Sequence, residues 1–65
     1  MKVNRERLRL AMARACMDTH DLAKVADMPR PTVNNVITGR SIRPATLGRI
    51  ARALNCDVED LVKGE

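Results

Sequence analysis

The sequence has no phenylalanine, tyrosine or tryptophan among its 65 residues. A core must therefore be assembled from Leu, Val, Ile, Met and Ala. The aromatic platforms on which unpaired bases stack are missing too, which disfavours single-stranded nucleic acid relative to a duplex. Histidine and cysteine are scarce: His20 stands alone, and Cys16 and Cys56 are far apart with no Cys-x-x-Cys spacing. That set cannot hold zinc, and two isolated cysteines in apolar contexts read as free thiols of a reducing compartment. No apolar run approaches the roughly 18–20 residues that cross a bilayer. Residues 5–16 are interrupted by four arginines, so they do not read as a leader. The expectation is a cytoplasmic protein without membrane segment, metal, cofactor or evident small-molecule ligand.

Catalytic constellations are lacking as well. No nucleophile–base pair, carboxylate pair or glycine-rich phosphate loop is visible. A chain this short buries only about 60% of its unfolded surface, which leaves little room for an enclosed reaction cavity. Both points argue against an enzyme and for one domain spanning residues 1–65.

The most informative absence is that of acid in the middle of the chain. The formal charge is +4, from twelve basic and eight acidic residues. Residues 30–52 carry Arg30, Arg40, Arg43, Arg49 and Arg52 and no carboxylate. Residues 1–14 add Lys2, Arg5, Arg7, Arg9 and Arg14 against Glu6, while Asp57, Glu59, Asp60 and Glu65 collect near the end. A basic stretch beside an acidic tail suits a polyanion on one face, although a solvated surface on a basic protein gives the same pattern.

What is present is helical periodicity. Asn4 can cap a helix over about residues 5–16, with Leu8, Ala11, Met12 and Ala15 on one face. Asp18, with Asp21 three residues on, makes a short-armed capping box for a helix from Thr19 to Ala26, whose apolar face is Leu22, Ala23 and Val25. Asp27-Met28-Pro29 breaks that helix, and Asp27 tolerates the left-handed conformation of a tight turn. A third helix begins near Arg30, accepts Pro31 in its first turn, and runs to about Thr38 with Val33, Val36 and Ile37 inward. Gly39 suits the left-handed residue that ends it. Pro44 opens a fourth helix through about Asn55, with Leu47, Ile50, Ala51 and Leu54 inward. Asp57 caps a short last helix closed by Gly64, and Val58, Leu61 and Val62 tie it to the core. The fold class is all-α, with five short helices.

Residues 19–38 carry the functional signal. Two helices of about eight residues are joined by a three- to four-residue turn, and the small Ala23 lets the second cross the first closely. The segments Thr19-His20-Asp21-Leu22-Ala23 and Thr32-Val33-Asn34-Asn35-Val36-Ile37-Thr38-Gly39-Arg40 resemble the Cro/phage-repressor (XRE-type) helix-turn-helix family. So do Arg43-Pro44, Thr46-Leu47, Ile50-Ala51-Arg52-Ala53-Leu54-Asn55 and Asp60-Leu61-Val62. The likeness runs from about Asn4 to Gly64, with all segments in register. Three positions depart from it. Asp27 replaces the usual turn glycine, Pro29 replaces the usual Ser or Thr cap, and Met12 and Ile37 replace a buried Arg–Glu pair found in some phage repressors. Replacement on both sides keeps that site neutral.

The resemblance implies a lambda-repressor-like domain whose third helix enters the major groove while the second lies across the backbone. Arg30 and Asn34 share a face and are suited to guanine and adenine respectively; Asn35 borders them, and Pro31 and Thr32 can touch a thymine methyl. Phosphate contact is the alternative for Arg30, and simple solvation for Asn35. Thr19 and the first N–H groups of the second helix, His20, Thr38, Gly39, Arg40, Ser41 and Arg43 are candidate phosphate contacts, with Arg14 flanking. Arg49 and Arg52 read as solvated charge. Family members usually act as homodimers on inverted half-sites about one turn, roughly 34 Å, apart; Val58 and Leu61 are candidate dimer contacts. The implied function is a sequence-specific, double-stranded DNA-binding transcriptional regulator. A protein-interaction module such as an antitoxin or regulatory cofactor is the alternative, separable by the salt dependence of duplex binding. The methionines read as core filler, and Cys56 as inert packing.

Overall fold

A computed structural model describes residues 1–62 of the chain. Among these the helices are α1 (Arg5–Arg14), α2 (Thr19–Val25), α3 (Arg30–Ile37), α4 (Pro44–Ala53) and α5 (Val58–Val62), with no strand. The proposed close at Gly64 lies outside the described residues.

The first two helices start on their own side chains. The Asn4 side-chain oxygen accepts from the Glu6 and Arg7 N–H groups at 3.1 and 3.2 Å. The Asp18 carboxylate accepts from the Asp21 N–H at 2.8 Å, and the Asp21 carboxylate accepts from the Asp18 N–H at 3.2 Å, so the capping box is complete. By contrast, α3 and α4 start at Pro29 and Arg43 with no side-chain cap, each with a proline in its first turn.

All four longer helices end in one motif. Cys16, Asp27, Gly39 and Asn55 adopt positive φ (57°, 57°, 87° and 56°) one residue beyond the C-cap. The N–H that follows each reaches back to close the last turn: Met17 to Met12, Met28 to Ala23, Arg40 to Asn35, and Cys56 to Ala51, at 2.9–3.0 Å. This motif stops α1 at Arg14 and α4 at Ala53, a residue or two before the apolar periodicity does.

The core is aliphatic throughout. Val3, Leu8, Leu22, Val33, Val36, Leu47, Ile50 and Leu61 are fully buried, and each such Leu or Ile contributes about 1.5–3 kcal/mol by leaving water. The main departure from the expected core is in α2. Val25 is 55% exposed, and Ala26, at 7%, faces inward in its place. Val3 is an unforeseen core member. It is held there by the chain before α1, where the Asn4 N–H donates to the Leu61 carbonyl at 2.6 Å. Leu61 is 0% exposed, so it has no surface to offer a second copy, and its candidacy as a dimer contact is withdrawn; Val58 is only half-buried. Helix α3 packs on α2 and α1, and α5 packs on α1 and α4.

Candidate nucleic-acid interface

One face of α3 is buried and the other is bare. Val33 and Val36 are 0% exposed, whereas Arg30, Pro31, Asn34 and Asn35 all face solvent. Thr32 and Ile37 lie at the boundary, half-buried. The first turn of α3 contains no acid, and its N-cap residue Pro29 has no side chain able to accept a hydrogen bond. The positive end of the helix dipole therefore has no carboxylate within its own first turn.

Open grooves border this helix. The first, at its start, is lined by His20, Lys24, Asp27, Pro29 and Arg30, which places His20, Lys24 and the Asp27 carboxylate in the same groove as Arg30. The second runs along α3 and the loop after it, and is lined by Thr32, Asn35, Ser41, Ile42, Arg43 and Thr46. The loop is held in place from outside. The Ile42 N–H donates to the Met1 carbonyl at 2.6 Å, and the Met1 amino group donates to the Ile42 carbonyl at 2.8 Å and to the Ser41 hydroxyl at 3.3 Å. As an acceptor in that bond, Ser41 keeps its own proton to donate. The third groove lies between α1 and the end of α3, lined by Arg5, Glu6, Leu8, Arg9, Met12, Thr19 and Ile37.

Most of the expected residues are thus gathered around α3, with three corrections. Arg14 is not among them. It shares its surroundings with Arg52, Asn55, Cys56, Asp57 and Asp60, beside two carboxylates and away from α3. The Thr38 hydroxyl donates to the Asn34 carbonyl at 2.9 Å and to that of Asn35 at 3.2 Å, so its proton serves the end of α3. The start of α2 differs most. There the Asp18 carboxylate already accepts from the Asp21 N–H, and that bond holds its pKa below the ordinary value. Two carboxylates at that end oppose a phosphate rather than attract one. Thr19 is half-buried in the third groove, and His20 is exposed beside the capping box.

Sequence reasoning also missed residues that the fold brings in. Lys24 is four positions after His20, a spacing that puts both on one helix face and was visible in principle. Arg5 reaches the end of α3 through tertiary packing alone. Burial, aided by the Asp60 carboxylate, pushes the Cys56 thiol up, away from the reactive thiolate. Among the described residues no group of His, Cys, Asp and Glu could hold a metal ion, and no helix is long and apolar enough to cross a membrane.

A helix-turn-helix with a bare, polar second helix and a cationic border is a duplex-reading arrangement. Residues 7–65 match the family model described as the Cro/C1-type HTH DNA-binding domain. The chain belongs to this family. In fold the chain is similar to the restriction-modification controller protein C.AhdI from Aeromonas hydrophila. The TM-score is 0.77 and the identity 23%, over 86% of each chain. No curated protein sequence matches.

Seen as a Cro/C1-type domain, the three departures have local explanations. Asp27 stands at the turn glycine and takes the left-handed conformation, φ 57°, itself. Pro29 replaces the usual cap and leaves α3 without one. Met12 and Ile37, in place of the charged pair of some phage repressors, both line the third groove, half-buried.

Proposed function

We propose that this Cro/C1-type protein is a sequence-specific transcriptional regulator that acts by occupying duplex DNA, without chemistry of its own. The observation that carries this reading is the two-sidedness of α3: Val33 and Val36 have no exposed surface, while Arg30, Pro31, Asn34 and Asn35 all project. An eight-residue helix is about 12 Å long, comparable with the width of the major groove. In that groove Arg30 grips a guanine edge and Asn34 an adenine edge, with Asn35 bordering them. Pro31 and Thr32 supply apolar contact. Lys24, Arg40, Ser41, Arg43 and the backbone at Gly39 set the register against phosphates. The name of the Aeromonas neighbour, a restriction-modification controller protein, supports a regulatory reading.

Two copies would bind inverted half-sites. The longest dimension of the fold is 26 Å. Half-sites about 34 Å apart leave neighbouring copies less than about 10 Å from touching when that axis follows the duplex. Val58 on α5 is the remaining candidate contact. The cytoplasm is the proposed site of action.

Selection of bound duplexes from a random library tests the reading. The expected product is an inverted repeat with half-site centres about one turn apart. A pool with no enriched sequence would contradict base reading.

A further inference from the structure

Gly39 has two features that belong together. Its φ of +87° ends α3, and the space its missing side chain leaves is filled by Arg5 from the start of α1. A Cβ built on Gly39 would lie 3.3 Å from the Arg5 Cδ and 3.7 Å from its Cγ. The aliphatic stem of Arg5 therefore lies across the backbone at the end of α3, next to Arg40. A side chain at position 39 would press that stem back by a few tenths of an ångström and would be strained by the positive φ.

The charge at the tip of that stem is not committed elsewhere. Among the described residues the only ion pair is Arg9 with Glu6, where both carboxylate oxygens accept from one Arg9 nitrogen at 2.7 and 2.8 Å. Glu6 is thereby engaged by Arg9, and no carboxylate among the described residues pairs with Arg5. Arg5 is exposed and lines the open groove that runs to Thr19 and Ile37. Packing the stem on Gly39 restricts its rotamers in advance, so less freedom is lost when the guanidinium meets an anion.

We propose that Arg5 binds a backbone phosphate beside the C-terminal end of α3, as a cationic contact supplied from outside the helix-turn-helix and seated on Gly39. The proposal rests on the reading of the protein as a DNA binder. It makes Gly39 a determinant of affinity as well as of helix termination, and it gives α1 a direct part in holding the duplex. Arg5 contributes charge and register only, since a phosphate carries no base identity.

The test is the salt dependence of binding to a random-sequence duplex, compared across four proteins. With Lys24, Arg40, Arg43 and Arg5 on phosphates, each bound copy of the wild type should show a log–log slope of about −3 to −4, and each cationic contact removed should reduce its magnitude by about 0.9. Arg5→Gln keeps the stem and removes the charge, so it should lower the slope by about that one step and weaken binding several-fold at physiological salt. Arg5→Lys should restore the slope. Arg49→Gln, at an exposed arginine of α4 that lines none of the three grooves, should leave it unchanged. Thermal unfolding of each variant runs alongside. If Arg5→Gln keeps the wild-type slope, Arg5 merely packs on Gly39 and the proposal is overturned while DNA binding stands. An equal loss in Arg49→Gln overturns it too, as a general charge effect. A wild type with no salt-dependent duplex binding overturns the DNA reading and this proposal with it.

Discussion

Helices α1 and α2 open on side chains that close their first turns; α3 and α4 open on an arginine beside a proline and nothing that caps. Asn4 holds the first turn of α1, and the Asp18–Asp21 pair holds that of α2. At α3 the order is Pro29, Arg30, Pro31; at α4 it is Arg43, Pro44. A capping side chain is generally worth about 1 kcal/mol, so α3 and α4 forgo a stabilisation that α1 and α2 take. Proline offsets part of this, because it removes one N–H that would need a partner and presets φ. The gain is electrostatic. No carboxylate stands in the first turn of α3 or α4, and both helices lie within residues 30–53, a segment that contains no acid. The difference separates the half of the domain arranged for its own stability from the half arranged for an anionic partner.

The largest effect should come from breaking the functional half at its base-reading end. Arg30→Ala should cost about 1–3 kcal/mol on a selected duplex and leave unfolding within about 0.5 kcal/mol of wild type. Arg40→Ala should weaken selected and random duplexes alike. If the two variants lose equally on both duplexes in a binding titration, the division between reading and positioning is wrong. Breaking the structural half should do the reverse. Asn4→Ala should lower the urea-unfolding free energy by about 1 kcal/mol and change duplex affinity much less than Arg30→Ala does.

A smaller effect sharpens the contrast among the helix ends. Cys16 takes the left-handed conformation in α1 that Gly39 takes in α3, at φ 57°. Cys16→Gly should raise stability by about 0.5–1 kcal/mol, read by thermal unfolding. The last prediction concerns pH. The Asp21 N–H lowers the pKa of Asp18 in the folded chain below the ordinary 3.8, so its contribution is full above that value and fades as pH falls through the folded pKa. Asp18→Ala should therefore be less stable than wild type at neutral pH, and the two melting curves should converge in strong acid.

Much of this half-and-half arrangement was legible in the sequence, because it is local. Asn4, Asp18 and Asp21 are capping residues at capping positions, and Pro31, Gly39 and Pro44 act within a turn of where they stand. Burial of Val33 and Val36 follows from three-residue spacing. The misses have identifiable causes. Helix α2 is barely two turns long, so its inward face could be set by Val25 or by Ala26, and the packing of α3 chose the smaller residue. Nothing in a cysteine announces positive φ at Cys16, where the closing hydrogen bond imposes it; Asn55 is a residue type that tolerates this conformation, but the apolar periodicity running up to it hides the helix end. Leu61 has the same pattern whether it meets its own core or a second copy. The seating of Arg5 on Gly39 joins residues far apart in the chain, and no local pattern records it.

The central claim is that the duplex lies against α3 and the loop after it. Titration of isotope-labelled protein with a selected duplex, followed by amide NMR, tests this most directly. Shifts should concentrate at residues 30–43 and at Arg5, leaving α5 unmoved apart from any dimer contact at Val58. Shifts centred on residues 55–62, with the amides of α3 unchanged, would contradict it.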